Sequence, residues 1–372
     1  MKKVLRYLIP NILIFIILIL QTNSHAVGNS IISIQDANKT SGLGRGPKLE
    51  LVDNYSSIFI GYIVDNSLIF DILSNNLSTI FKSKLQVSME QFKNEKLQAL
   101  LDFEVQQKDP GWRVYSSTLM RVGLEKSCNS IRFTVIQFWA TGTEKDRDSK
   151  TISDCINKGN LLLSGGGLAY KKTNSSAYVG IGDFGQSMEE KNRYRALSTI
   201  VEAKISKAGR IGKIRSFSYG HRNPLDLAQF GGGGVLLEVE SGPRGGDELN
   251  KIFFGKNYGW PQVTLGEPYN NDNDYIQVNK YRTHMGYTKP SYFWKQSQTP
   301  TAISLDKEKF NCIYVSMLTT EQIMNLCQMD GRIREVYQYR VNSRIRDLIS
   351  MPDGSLIYST DKGEILLVKI QK

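Results

Sequence analysis

Residues Tyr219 to Pro261 read YGHRNPLDLAQFGGGGVLLEVESGPRGGDELNKIFFGKNYGWP, and this stretch decides how the rest of the chain is understood. Three clusters stand close together in it: His221-Arg222-Asn223, the turn Gly242-Pro243-Arg244-Gly245-Gly246-Asp247-Glu248, and Asn257-Tyr258-Gly259-Trp260-Pro261. Gly and Pro set the backbone of tight turns, and turns held by a rigid scaffold are where carbonyls and charged side chains converge on a ligand. Packing alone does not require that density.

Working outward, short apolar runs recur with turn residues between them: Ser57 to Val64, Arg113 to Ser117, Ile131 to Trp139, Ser176 to Ile181, Gly234 to Glu240, Asn311 to Met317, Ser355 to Ser359 and Glu364 to Ile370. Little 3.6-residue periodicity is sustained, so the fold class is all-β, built from many short strands. The spacing suits a propeller or a barrel, and composition alone leaves a large β-sandwich open. Leu168 to Asp183 and Asp347 to Asp361 share one pattern of strand, polar turn, strand and acid, a faint internal repeat. Lys84 to Leu101 has some helical character and reads as an insertion between strands.

The quoted stretch closely resembles the soluble pyrroloquinoline-quinone (PQQ) dependent aldose dehydrogenases, also called glucose/sorbosone dehydrogenases, which carry an H-R-N-P turn, a G-P-R-G-G-D-E turn and a K-N-Y-G-W-P segment. Weaker likeness extends to Tyr292-Phe293-Trp294, Arg344-Ile345-Arg346-Asp347 and Pro352-Asp353-Gly354. Upstream it takes in Leu100-Leu101-Asp102, Gly165 to Tyr170 and Gly182-Asp183. It covers most of the chain but is sharp only in the centre, as in a divergent member. The resemblance implies a six-bladed β-propeller over residues 46–372, a fold that manages the exposed strand edge by radial repetition.

The N-terminus gives the address. Lys2, Lys3 and Arg6 precede an unbroken apolar run from Ile12 to Leu20, and Ser24-His25-Ala26 is a small-x-small site, so residues 1–26 read as a signal peptide. The expected location is periplasmic or secreted, with membrane attachment only if the signal is retained. Residues 27–45 are polar and read as a flexible segment. Removing the signal takes three of the 47 Lys and Arg and none of the 36 acids, lowering the formal net charge from +11 to about +8. The basic residues are scattered among acids with no aromatic-interleaved stripe, which argues against nucleic acid as a partner.

Four cysteines in an oxidising compartment favour disulfides. Cys312 and Cys327 are equidistant from a turn at Leu318 to Glu321, so they face each other across an antiparallel pair. Cys128 and Cys155 also flank a hairpin, whose long polar loop leaves the register open.

Site residues come from the resemblance. PQQ carries three carboxylates and needs fixed cations, a polarising donor or Ca²⁺ at the quinone, and a base for the sugar hydroxyl proton. Arg344 and Arg346 match the family's carboxylate-binding pair, with two-residue spacing that puts both on one face of a strand. Arg222 and Asn223 match the pair beside the quinone oxygens. The carbonyls of Gly242 and Pro243 match the Ca²⁺ seat, braced by Asp247 and Glu248. The base does not match: the family's histidine falls on Leu163, which cannot accept a proton. The cofactor-contacting glutamine falls on Leu97 and the late-hairpin lysine near Thr319. His25 leaves with the signal and His284 has no recognisable partner, leaving Asp183 and His221 as possible substitutes. The expected activity is oxidation of an aldose at its anomeric carbon. The alternatives are an inactive propeller that binds a sugar or another anionic small molecule, and a structural or interaction propeller at the cell surface.

Overall fold

The computed structural model describes residues 29–33, 46–52, 57–64, 66–74, 83–88, 95–123, 128–157, 159–186, 196–230, 234–267 and 284–369. The signal read over residues 1–26 lies outside them. So do residues 34–45 of the segment read as flexible.

Six four-stranded antiparallel sheets form a ring. The first blade holds β2 (Lys48–Leu51), β3 (Ser57–Val64), β4 (Ser67–Ser74) and β5 (Ser83–Ser88). The second holds β6 (Glu95–Lys108), β7 (Gly111–Val122), β8 (Cys128–Trp139) and β9 (Glu144–Thr151). The third runs β10 (Gly165–Lys171), β11 (Ser176–Ile181), β12 (Thr199–Ile205) and β13 (Ile211–Tyr219). The fourth runs β14 (Pro224–Phe230), β15 (Val235–Glu240), β16 (Asp247–Ile252) and β17 (Tyr292–Trp294). The fifth comprises β18 (Pro300–Leu305), β19 (Cys312–Met317), β20 (Gln322–Met329) and β21 (Arg332–Arg340). The last takes β22 (Ile345–Ser350), β23 (Ser355–Thr360) and β24 (Glu364–Lys369), and β1 (Asn29–Ser33) adds to it beside β24. The ring therefore draws on the segment before residue 46 and closes with strands from both ends of the chain.

Strand composition follows position. In β3, SIFIGYIV, all but the two end residues are buried, because both faces pack on neighbouring blades. The outermost strand β21, RIREVYQYR, is largely exposed and polar, which discourages pairing with other chains. Between blades two and three the apolar layer includes Tyr115, Phe133, Leu168 and Val179, with Tyr115 stacked on Tyr170 at 4.1 Å between ring centroids. The helical character read in Lys84 to Leu101 is overridden: its described residues are strands β5 and β6, and no α-helix occurs among the described residues. Helix propensity is a weak prior against the pairing of β5 with β4 and of β6 with β7. No described helix is long and apolar enough to cross a membrane.

Alternate blades are stapled to the next by an aspartate. At a bulge in each inner strand, Asp102, Asp226 and Asp347 accept the following residue's N–H on Oδ1. On Oδ2 each accepts a backbone N–H from the next blade's inner strand: Leu168 at 2.6 Å, Ile303 at 2.5 Å and Leu49 at 2.8 Å. A bulge bends and twists its strand, and just before two of the aspartates Leu225 and Arg346 face the axial channel, whereas Leu101, before the third, packs between blades two and three. Leu101 and Arg346 belong to sequence clusters singled out above.

Both hairpin disulfides are formed. Cys312 and Cys327 are register partners with Cα atoms 4.0 Å apart, closer than the usual range, and Cys128 pairs with Cys155. The second pairing was open in the sequence because the strand after β9 is irregular: Ile156 returns to bridge Asn129 and brings Cys155 back to Cys128.

Candidate functional site

At the N-terminal ends of the inner strands the axial channel widens into a cavity of about 210 Å³. Lys48, Leu162, Leu163, Asn223, Arg344 and Arg346 line it, with Ser241, Thr299, Thr301 and Leu318 among the remaining wall residues. No carboxylate is in that lining. Three cations thus face a cavity without an acid in its wall.

Leu163 lies in the cavity wall. It ends a short 3₁₀ turn, Leu161–Leu163, whose N-cap Asn160 accepts Leu162 N–H on Oδ1 at 3.0 Å. Gly165, at φ 70°, then turns the chain into β10 and donates its N–H to Asn223 Oδ1 at 2.9 Å. Asn223 Nδ2 reaches Ser241 Oγ at 3.1 Å and the Leu162 carbonyl at 3.3 Å. This amide ties blades three and four together beneath the cavity floor.

Arg344 and Arg346 share the wall as their spacing predicts. Arg344 Nε donates to Asp361 Oδ2 at 2.8 Å, and Arg346 Nη2 stands 3.9 Å from the same oxygen. Arg346 Nε is buried with no hydrogen-bond partner, and burial pushes its guanidinium down to about 10, with Asp361 opposing that shift. Lys48, which sequence reasoning missed, adds the third cation. It is buried and lies at the start of β2, 4.0 Å from Asp347 Oδ2.

Other predicted residues do not reach the cavity. Arg222 is separated from Asn223: its Nη1 donates to the carbonyls of Ser241 at 2.8 Å and Gly242 at 2.9 Å, and its guanidinium lies 5.4 Å from the Trp260 ring centroid. Asp183 is fully buried, accepting Gly185 N–H on Oδ1 and Trp260 Nε1–H on Oδ2, both at 2.8 Å. His221 is fully buried under Tyr258. Neither substitute base is in the cavity wall, because each serves the turns behind it. Leu97 is also elsewhere, in the apolar layer between blades one and two. Thr319 sits just outside the wall, its hydroxyl 2.9 Å from that of Thr299.

The Gly242 turn is braced as expected. Asp247 Oδ1 accepts Gly242 N–H at 2.8 Å, and Oδ2 accepts the N–H groups of Gln298 and Thr299 at 2.6 and 2.8 Å. Gly246, at φ 66°, passes so close to Gly266 that an added Cβ would lie 2.0 Å from its nitrogen. His284 does have a partner: Nε2 stands 3.3 Å from Glu248 Oε1.

Over residues 114–369 the sequence matches the family described as Glucose / Sorbosone dehydrogenase. The chain belongs to that family. Aldose sugar dehydrogenase YliI of Escherichia coli (strain K12) is 31% identical over 173 residues, which are 45% of this chain and 46% of that protein. Quinoprotein glucose dehydrogenase B of Acinetobacter calcoaceticus is 46% identical over 63 residues, 17% of this chain and 12% of that protein. The chain thus spans less than half the length of the curated relatives it matches. Among solved structures, the apo form of the soluble aldose sugar dehydrogenase from Escherichia coli has a TM-score of 0.65 at 20% identity, covering 91% of this chain and 98% of that one. The PQQ-bound aldose sugar dehydrogenase from Streptomyces coelicolor has a TM-score of 0.61 at 16% identity, covering 93% and 97%. These likenesses establish the dehydrogenase-type propeller fold.

Proposed function

We propose that the cavity at the channel mouth binds PQQ, and that the chain is a quinone-dependent oxidoreductase of aldoses whose proton-transfer step is crippled. The observation that carries this is the acid-free wall bearing Lys48, Arg344 and Arg346. Three cations suit three carboxylates, and the planar forks of Arg344 and Arg346 can each grip one bidentately. When bound, the quinone supplies the acceptor for the sugar's hydride. The chain's own residues hold and orient: Arg344 and Arg346 exchange Asp361 for the ligand, while Asn223 fixes the floor. The half-buried Leu163 and exposed Leu162 present apolar surface where the sugar would enter. With leucine there, nothing in the wall removes the hydroxyl proton, a loss worth about 10²–10⁴-fold in rate.

Calcium fits less well. The Gly242 carbonyl accepts Arg222 Nη1, so Ca²⁺ on that oxygen requires the guanidinium to turn away. The turn as it stands does not suit the ion, and no step is drawn through it. The signal sequence supports a periplasmic or secreted site of action.

A second reading is favoured by Leu163 alone: an inactive propeller that keeps the cavity for an anionic small molecule. Titrating purified protein with PQQ while following visible absorbance, then adding aldoses and an artificial electron acceptor, separates the two. Saturable PQQ binding that is lost in Arg346→Gln supports the first reading, and binding without turnover supports crippled chemistry. No PQQ binding at all removes the first reading.

A further inference from the structure

Behind the cavity, the fourth blade encloses polar side chains that the cavity does not use. His221 is fully buried, with the Tyr258 ring stacked at 4.7 Å. Its Nε2 is 2.8 Å from Ser218 Oγ, and its Nδ1 has no hydrogen-bond partner. Glu238 is likewise fully buried, and its Oε1 has no partner. Nδ1 stands 4.0 Å from Glu238 Oε1 and 4.0 Å from Glu240 Oε1, too far for a hydrogen bond. The three residues offer one ligand atom each within 4.8 Å of one another.

Buried polar atoms are ordinarily matched, because leaving them unmatched costs about 1–3 kcal/mol each. Here His221 Nδ1 and Glu238 Oε1 have no partner, and Glu240 Oε1, which faces the same point, has only the Asn250 amide at 3.3 Å. A point equidistant from atoms so spaced lies about 2.1–2.5 Å from each, the length of a metal–nitrogen or metal–oxygen bond. The surrounding atoms are already fixed. Glu240 Oε2 accepts the N–H groups of Arg222 at 2.5 Å and Asn223 at 3.3 Å. Asn250 Nδ2 reaches Glu238 Oε2 at 3.0 Å and Glu240 Oε1 at 3.3 Å. Ser218 orients the imidazole from its far side, as outer partners of ligating histidines do.

We propose that His221 Nδ1, Glu238 and Glu240 form a site for one divalent transition-metal ion of the zinc or manganese type. Imidazole with carboxylates favours such ions over Ca²⁺, which prefers all-oxygen surroundings. Burial also pushes His221 down to about 3, so the ring is neutral and its lone pair available. The ion's role is to hold Glu240, which in turn holds the backbone of Arg222 and Asn223. It is separate from any cation on the Gly242 carbonyl.

The test uses the whole purified chain, stripped with EDTA and reloaded with Zn²⁺, Mn²⁺ or Ca²⁺ in turn, with metal content and melting temperature read out. One Zn²⁺ or Mn²⁺ per chain, with a rise of several degrees, is expected. Glu238→Gln keeps the side chain's shape and its contact with Asn250, so it should fold and bind the ion at least about 100-fold more weakly. In Co²⁺-loaded wild type, a paramagnetically shifted exchangeable imidazole proton should appear in the NMR spectrum. Absence of stoichiometric metal, preference for Ca²⁺, undiminished binding by Glu238→Gln, or absence of that resonance would each overturn the proposal.

Discussion

Lys48 Nζ, at the start of the first blade's inner strand, lies 3.4 Å from the carbonyl oxygen of Arg346 on the last blade's inner strand, 298 positions away. The contact crosses the seam where the ring closes, and it places a lysine beside the arginine pair.

Lys48→Met should therefore weaken PQQ binding by roughly ten- to a hundredfold, the range for a hydrogen bond to a charged group. The stem is retained, so packing changes little. Equilibrium titration decides it, and the loss should shrink as salt is raised. Equal affinities for variant and wild type would remove Lys48 from the clamp.

Leu163→His restores a proton acceptor in the cavity wall. If PQQ is held in a productive pose, aldose oxidation should rise by about 10²–10⁴-fold. Steady-state kcat measured on cofactor-loaded wild type and variant tests this. Fast turnover by the wild type would mean that another group acts as base.

Cys312 and Cys327 close a 15-residue separation across a tight hairpin. Replacing both by Ala should lower stability by about 2–4 kcal/mol. Non-reducing peptide mapping should recover both this pair and Cys128 with Cys155, and free thiols at either pair would contradict the fold.

Burial raises Asp102 to about 7 and Asp226 well above the usual carboxylate range. Asp347 is raised by burial as well, and Lys48 opposes all three shifts. Glu50, Glu104 and Lys307 line the same lower channel. A carboxyl whose folded pKa is raised stabilises the fold at low pH and loses that contribution as pH rises through the folded value. Above about pH 7.5 histidines are largely neutral in folded and unfolded chains alike, which leaves the buried carboxyls, Glu50, Glu238 and Glu240 among them, since burial raises these too. In EDTA, stability read from thermal melts should fall between about pH 7.5 and pH 8.5, on the order of 1 kcal/mol per pH unit. Asp226→Asn should flatten the slope. A rising curve would mean that these carboxyls are ionised at no cost.

Local chemistry was legible in the chain itself. Turns at Gly242 to Glu248, strands such as Ser57–Val64, the arginine pair, and the Cys312 to Cys327 hairpin each depend on residues a few positions apart. Their geometry follows from φ/ψ limits and a side-chain period of two. The aspartate staples left a trace, in Leu101-Asp102, Leu225-Asp226 and Arg346-Asp347 at the same point of alternate blades, which a search for bulges could have found. Other features belong to ring closure alone. Lys48 meets Arg346, Arg222 turns to Gly242 while Asn223 faces the cavity, and Asp183 is capped by Trp260. His221 comes together with Glu238 and Glu240 in a buried interior. The sequence specified which groups were present. Which of them share a wall and which are buried was decided by the angle at which each blade packs on the next, a long-range property that no local pattern encodes.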